Sequence, residues 1–132
     1  DTTGVLIMTN DGELAHKLAH PSFEVKKEYT AEVRGDIPEA GIKRLRRGVE
    51  IDGKKTAPCG IELIRKVPGG GIYRVRLHEG RKRQVRLMFE AAGARVFELE
   101  RTAYAGLSAG RLKRGEYREL TAREVEKLKG SV

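Results

Sequence analysis

Apolar residues recur along this chain in two rhythms, every second position in some stretches and every third or fourth in others. Residues 5–8 (VLIM) form a short unbroken apolar run, the pattern of a buried strand. A turn over 9–12 follows, and Asn10 with Glu13 three residues on reads as a helix N-cap pair. Leu14 and Leu18 then share one helical face, which ends before Pro21. Over 26–35 (KKEYTAEVRG) the pattern alternates, with Tyr29, Ala31 and Val33 on one side of a predicted strand. Asp36 and Pro38 open a second helix with proline near its first position, Ile42 and Leu45 inward and Gly48 at its end. Residues 49–51 meet Asp52-Gly53, the strongest hairpin signal in the chain, and a return strand is expected near 59–64.

After three glycines at 69–71, residues 72–77 alternate again, with Ile72, Arg74 and Arg76 on one face and Tyr73, Val75 and Leu77 on the other. Val85, Met88, Phe89 and Ala92 then fall at i, i+3, i+4 and i+7, a helix that Gly93 is placed to stop. Residues 96–102 predict a strand with Phe97 and Leu99 on one side, and 117–120 a last strand. TARE at 121–124 is a capping box opening a final amphipathic helix. Interleaved strands and helices, punctuated by DG and GG, predict an α+β fold with a largely antiparallel or mixed sheet. No repeat, low-complexity tract or linker divides the 132 residues, so one domain is expected, long enough to bury a core without staples.

The polar side of the stretch 77–93 (LHEGRKRQVRLMFEAAG) changes the picture. Arg81, Lys82, Arg83 and Arg86 crowd the first turns of the predicted helix with no acid among them. Lys82 and Arg86 repel at i,i+4, and all four oppose the helix dipole. A solvated basic face is the plain reading. A segment that breaks two helix rules on one side is also what a polyanion site requires. The chain carries a formal net charge of +8, with 35% charged residues, which suits a nucleic-acid partner. A membrane surface would fit the charge, but no run approaches ~18 apolar residues, and the chain has no Trp and three Phe for an interfacial anchor.

Cys59 is alone, which excludes an intrachain disulfide and a CxxC metal motif, and it reads as a small core residue. His16 and His20 stand at i,i+4 without a third ligand nearby, so no metal is expected. The triple glycine lacks the Lys-Ser/Thr of a phosphate loop. No secretory signal pattern is visible, and a cytoplasmic protein is expected. Asn and Gln occur once each, at Asn10 and Gln84, a bias that resembles heat-adapted proteins.

Three segments, DTTGVLIMTNDGELAHKLAHP, KKEYTAEVRG and LHEGRKRQVRLMFEAAG, resemble in this order the successive motifs of pseudouridine synthases. The similarity is to the RsuA/RluB-like branch that modifies ribosomal RNA, and LKRGEYRELTAREVEKL resembles that branch's C-terminal end. Nearly the whole chain is covered. The resemblance implies a bent mixed or antiparallel sheet with flanking helices around a central RNA-binding cleft. It implies isomerisation of uridine to its C-glycoside in ribosomal RNA, with an aspartate nucleophile, no metal and no organic cofactor. The wording of EGRKRQVR and GEYRELT leans to the large subunit, and a monomer is expected. The target base must leave its stack to be reached.

Carried over residue by residue, the resemblance makes Tyr29 the tyrosine of a KxY motif, which packs on the target base and handles the C5 proton. Arg86 matches the basic residue that pairs with the catalytic aspartate, keeping it ionised and oriented. Arg81, Lys82, Arg83 and Gln84 are implied to face RNA or line the cleft. The family's nucleophile stands in R-L-D, two residues before T-x-G. Thr2-Thr3-Gly4 supplies the T-x-G, so Asp1 holds the place of a second, non-nucleophilic aspartate. The nucleophile is therefore expected two residues before Asp1. Residues 1–132 are read as a catalytic domain truncated at its N-terminus, without the small N-terminal RNA-binding domain of the branch. As it stands, that piece is expected to bind RNA weakly and make no pseudouridine. Leu87 replaces a usual arginine and Arg114 a common proline, which bears on RNA contacts and on a turn. A non-catalytic RNA-binding module is the alternative, and R-L-D upstream of Asp1 distinguishes the two. A structural ribosomal protein is disfavoured, since the Tyr29 and Arg86 motifs would then be coincidence.

Overall fold

The computed structural model describes residues 2–19, 25–110 and 112–130. In chain order these form β1 (Thr2–Gly4), α1 (Gly12–Ala19), β2 (Lys27–Arg34), α2 (Glu39–Arg47), β3 (Glu50–Ile51) and β4 (Lys54–Lys55). They continue with β5 (Gly60–Val67), β6 (Gly70–Leu77), α3 (Gln84–Ala91), β7 (Arg95–Tyr104), β8 (Leu107–Ser108) and α4 (Ala122–Gly130). The main sheet runs β1-β7-β2-β6-β5, with β8 added to β7, and β3 pairs only with β4. Its neighbours are antiparallel except β1, which lies parallel to β7. The sheet is mixed and the fold α+β, as the periodicity predicts.

The alternation decides which face is covered. Ala31, Val33, Tyr73, Val75 and Leu77 all point to one side and are buried there under Ile42 and Leu45 of α2 and Val85, Met88 and Phe89 of α3. Phe89 is fully buried, and its ring meets Tyr73 at 5.5 Å between centroids in a tilted pair. The opposite face is charged: Glu28 takes an ion pair from Arg76 at 3.0 Å and from Arg74 at 3.5 Å, and Arg74 also reaches Glu62. A second, smaller cluster joins Leu14 and Leu18 of α1 to Val25 and to Leu128 of α4. Tyr104 locks it by donating its hydroxyl to the Leu18 carbonyl at 2.7 Å. The capping box forms as expected, with Thr121 N bonded to Glu124 Oε1 at 2.9 Å and Glu124 N to Thr121 Oγ1 at 3.2 Å.

Several expectations are corrected. Residues 5–8 are not a strand, and Leu6 and Met8 are 72% and 84% exposed. The strand there is Thr2–Gly4. A Cβ at Gly4 would stand 2.1 Å from the Arg101 carbonyl oxygen, so only glycine permits this close approach, at φ +127°. The Arg101 guanidinium then grips the Val5 carbonyl at 2.6 and 2.9 Å, and the chain leaves the sheet. The helix cap is Asp11, whose Oδ1 accepts Leu14 N at 3.1 Å, not Asn10.

The hairpin at Asp52-Gly53 has φ +49° and +78°, a turn that demands immediate return. Its partner is therefore β4, and the 59–64 region belongs to β5, which pairs with β6. Phe97 does not share a face with Leu99: a bulge between the Glu32 and Val33 pairings turns it out, 57% exposed, beneath the Arg34 guanidinium at 4.8 Å. Residues 117–120 form no strand. A tight turn at Ala105 and Gly106 (φ +53° and +83°) has already given the end of β7 its partner, β8.

Because Phe89 is enclosed on every side, Phe89→Ala is expected to cost about 3–5 kcal/mol in urea unfolding. A loss below ~1 kcal/mol would mean that α3 does not seal the sheet as described.

Candidate functional site

The site grows from the junction between β6 and α3. Leu77 is the last buried residue of β6, and residues 78–83 then cross to the start of α3. This crossing is stapled by Glu79. Its Oε1 accepts Gln84 Nε2 at 2.7 Å and its Oε2 accepts Ala57 N at 3.1 Å, while Gln84 Oε1 accepts Arg81 N at 3.2 Å. Gln84 is buried, 3% exposed, with its amide wholly engaged. Arg81, half-buried, donates to the Lys54 carbonyl at 3.1 Å and to the Ile51 carbonyl. It fastens the β3–β4 hairpin to the crossing.

Arg83 adopts a left-handed backbone, φ +56°, immediately before α3. A non-glycine residue held there carries strain, which is common beside functional pockets. The three cations Arg81, Lys82 and Arg83 thus precede the helix, and do not crowd its first turns as the periodicity implied. Arg86 alone sits on α3. It is half-buried, and its Nη1 donates to the Val96 carbonyl at 3.2 Å, which holds the guanidinium against β7. Leu87, in place of the usual arginine, packs against the main core. The turn at Arg114 and Gly115 forms, with Glu116 N bonded to the Lys113 carbonyl at 3.0 Å.

These elements enclose a pocket of about 240 Å³. Tyr29, Leu77 and Leu99 come from the sheet, Arg81 and Arg83 from the crossing, and Arg86 from α3. Tyr29 and Arg86, from distant parts of the chain, therefore share one cavity. Its volume falls below the ~300 Å³ at which drug-sized ligand sites begin, which suits a single base. An adjoining hollow of about 510 Å³ shares Arg83 and Arg86 and extends to Arg95 and Phe97. Lys82 is exposed and lines neither space. Thr2 of β1 pairs with Leu99, so the first strand runs along the pocket wall.

Two neighbours were missed in reading the sequence. Lys27 lies on the same face of β2 as Tyr29, with its Nζ 5.7 Å from the Tyr104 ring centroid and Arg101 4.7 Å from the same ring. Burial, and then the Arg101 charge, lower the Lys27 pKa, with Glu79 opposing them. The available signal was a lysine two positions before Tyr29, on the inward side of an alternating strand. Cys59 is half-buried, and its thiol is pushed up to about 11, first by burial and then by Glu79. It packs against the core as a neutral side chain, its Sγ 3.5 Å from the Leu45 carbonyl. His16 is exposed, His20 lies outside the described residues, and among the described residues no three His, Cys, Asp or Glu side chains cluster to hold a metal. No helix among them is long and apolar enough to cross a membrane.

Known proteins resolve what class of molecule this is. The RNA pseudouridylate synthase family matches residues 1–91, and the chain belongs to that family. It is 45% identical over 131 residues to ribosomal large subunit pseudouridine synthase B of Bacillus subtilis (strain 168), covering 98% of this chain and 54% of the relative. It is 42% identical over 128 residues to an uncharacterized RNA pseudouridine synthase of Mycobacterium tuberculosis (strain ATCC 25618 / H37Rv), covering 97% and 50%. A solved structure described as a pseudouridylate synthase superposes with a TM-score of 0.82 at 29% identity, over 91% of this chain and 52% of that one. The fold is that of the pseudouridine synthases. The chain spans about half the length of the curated relatives it matches.

Glu79→Ala removes acceptors from one buried amide and one backbone N–H. An expected cost is about 1–3 kcal/mol, with faster hydrogen exchange at the amides of Ala57 and Arg81. Unchanged exchange at both amides would show that the crossing is held by other contacts.

Proposed function

We propose that the protein carrying this chain converts uridine to pseudouridine in ribosomal RNA of the large subunit. The observation that carries this reading is the single cavity holding both Tyr29 and Arg86, walled by further cations. The family and the name of the Bacillus subtilis relative support the reaction and the RNA. Work on ribosomal RNA would place the protein in the cytoplasm.

In the reaction the bond between uracil N1 and ribose C1′ breaks, the base turns, and C5 joins C1′ in its place. N1 gains a proton and C5 loses one. Tyr29 stands half-buried in the cavity, where its ring can pack on the extruded base and its hydroxyl can take part in the C5 proton transfer. The nucleophilic aspartate would be the one expected two residues before Asp1; Thr2 pairs with Leu99, which lines the cavity together with Arg86. A guanidinium beside the carboxylate keeps it ionised and aimed. Arg83 and Lys82 are the candidates to meet RNA phosphates. Arg81 and Gln84 serve the site indirectly, by fixing the hairpin and the crossing. A non-catalytic RNA-binding module would use the same cations but would have no need of the Tyr29 hydroxyl.

Tritium release from C5-labelled uridine in ribosomal RNA transcripts tests the reading. In the full-length protein, Tyr29→Phe is expected to keep RNA affinity within about two-fold, because the ring remains. Its single-turnover rate should fall about 10²-fold or more, the usual scale for a lost proton-transfer group. Arg86→Ala should also lose turnover. Release at the wild-type rate by Tyr29→Phe would reduce Tyr29 to a stacking surface. No release by the unaltered full-length protein on any ribosomal transcript would favour the binding module.

A further inference from the structure

The cations of this chain differ in their surroundings. On the outer face of the sheet Arg74, Arg76 and Arg34 each hold a carboxylate. Around α2 and the β3–β4 hairpin Arg46 pairs with Glu39 at 3.5 Å, and among the described residues the other cations there hold no carboxylate. Ile42 and Leu45 point α2 into the core, which leaves Lys43, Arg44 and Arg47 together on its solvent side. Lys54 and Lys55 are exposed on the hairpin, and Lys82 is exposed on the crossing. Among the described residues none of these six side chains makes an ion pair. Glu50 stands opposite Lys55 in the hairpin and Asp52 lies at its tip, both outside ion-pair distance.

The six are also contiguous. A Cβ at Gly48, the C-cap of α2, would stand 3.2 Å from Lys55 Cε, so the lysine stem lies across the helix end. Cys59 N donates to the Arg46 carbonyl at 2.9 Å, tying the chain after the hairpin to the same helix. On its other side the hairpin is held by Arg81, whose guanidinium spans the Ile51 and Lys54 carbonyls and whose neighbour is Lys82. The strip therefore runs from α2 across the hairpin to the rim of the Tyr29–Arg86 cavity. Part of this charge answers the α2 dipole, since Arg44 and Arg47 lie in its last turn. That accounts for neither the hairpin lysines nor Lys82.

We propose that this strip is a track for the RNA backbone flanking the target uridine, so that the phosphates beyond the cavity are gripped by α2 and the hairpin. The proposal rests on the RNA-modifying reading above. Its occupant is an anionic strand leaving the cavity rim, which matches a row of exposed cations with no aromatic platform among them. Arg81 is then a positioning residue: it holds the hairpin where its lysines meet that strand.

The test uses the full-length protein and two RNAs: a ribosomal fragment in which it forms pseudouridine, and the same fragment trimmed to the target loop. The variants are K54Q/K55Q and K43Q/R44Q/R47Q, with K54R/K55R as the charge-preserving control. On the long fragment, each lost phosphate contact should lower the slope of log K against log salt by about 0.7 to 0.9. Affinity at low salt should fall at least several-fold in each glutamine variant, and the arginine variant should bind as the wild type does. On the trimmed loop, affinity and single-turnover rate should not change. An unchanged salt slope on the long fragment would overturn the track. So would an equal loss on both RNAs, or a K54R/K55R protein as weak as K54Q/K55Q. Pseudouridine formation by the wild type on the trimmed loop reports separately on the reaction.

Discussion

One carboxylate organises the junction on which the cavity depends. Glu79 sits between β6 and α3 and accepts from the Gln84 side chain and the Ala57 backbone at once. The start of α3 and the chain at Ala57 thereby share one acceptor. Gln84 cannot turn to water for a replacement, being 3% exposed, so the bond is worth more than a surface hydrogen bond. The same charge is felt further out. It raises the Cys59 thiol, adding to burial, and it supports the Lys27 ammonium against burial and Arg101. For Lys27 the opposing effects win, and its pKa is lowered. The crossing is thus fixed by hydrogen bonding and, through it, so are the positions of Arg83 and Arg86.

Much of the fold was legible because a strand or helix with one buried face writes its period into the sequence. Residues 26–35 and 72–77 alternate because Ala31, Val33, Tyr73 and Val75 must meet α2 and α3 while Glu28 and Arg74 pair across the other side. The failures are where a backbone event overrides the pattern. The run at 5–8 is apolar, but the chain has already been turned out by the tight approach of Gly4 to Arg101. Phe97 looks inward by period and is turned out by a bulge. In the site, Tyr29 and Arg86 were legible from motifs. Arg81 was not: an arginine in a basic cluster carries no mark of the carbonyls, about thirty positions away, that it holds.

Charge is distributed by what each surface must do. The outer sheet face offsets its arginines with Glu28, Glu32 and Glu62, which gives exposed pairs of small individual worth and a surface with little net field. On the side bearing the cavity Glu39 pairs with Arg46 and Glu79 lines the cavity, and the exposed cations of α2, the hairpin and the crossing outnumber them. A chain with a formal net charge of +8 can therefore present one nearly neutral face and one strongly positive one.

The two bulges in β7 keep that strand's own glutamates off the cavity face, so that Glu79 is the acid lining the cavity among the described residues. Pairing with β2 puts Val96 opposite Val33, Leu99 opposite Ala31 and Arg101 opposite Tyr29, with Phe97 and Thr102 as the extra residues. The inward set is Val96, Leu99, Arg101 and Tyr104, spaced three, two and three apart. A regular strand with Val96 inward would also turn Glu98 and Glu100 inward, since a one-residue slip exchanges the faces. Both glutamates are instead exposed. Had they faced the cavity, two carboxylates would have competed for Arg86. An irregularity that hides from sequence periodicity thus keeps two carboxylates away from Tyr29. It also leaves the Val96 carbonyl where Arg86 can use it as an anchor.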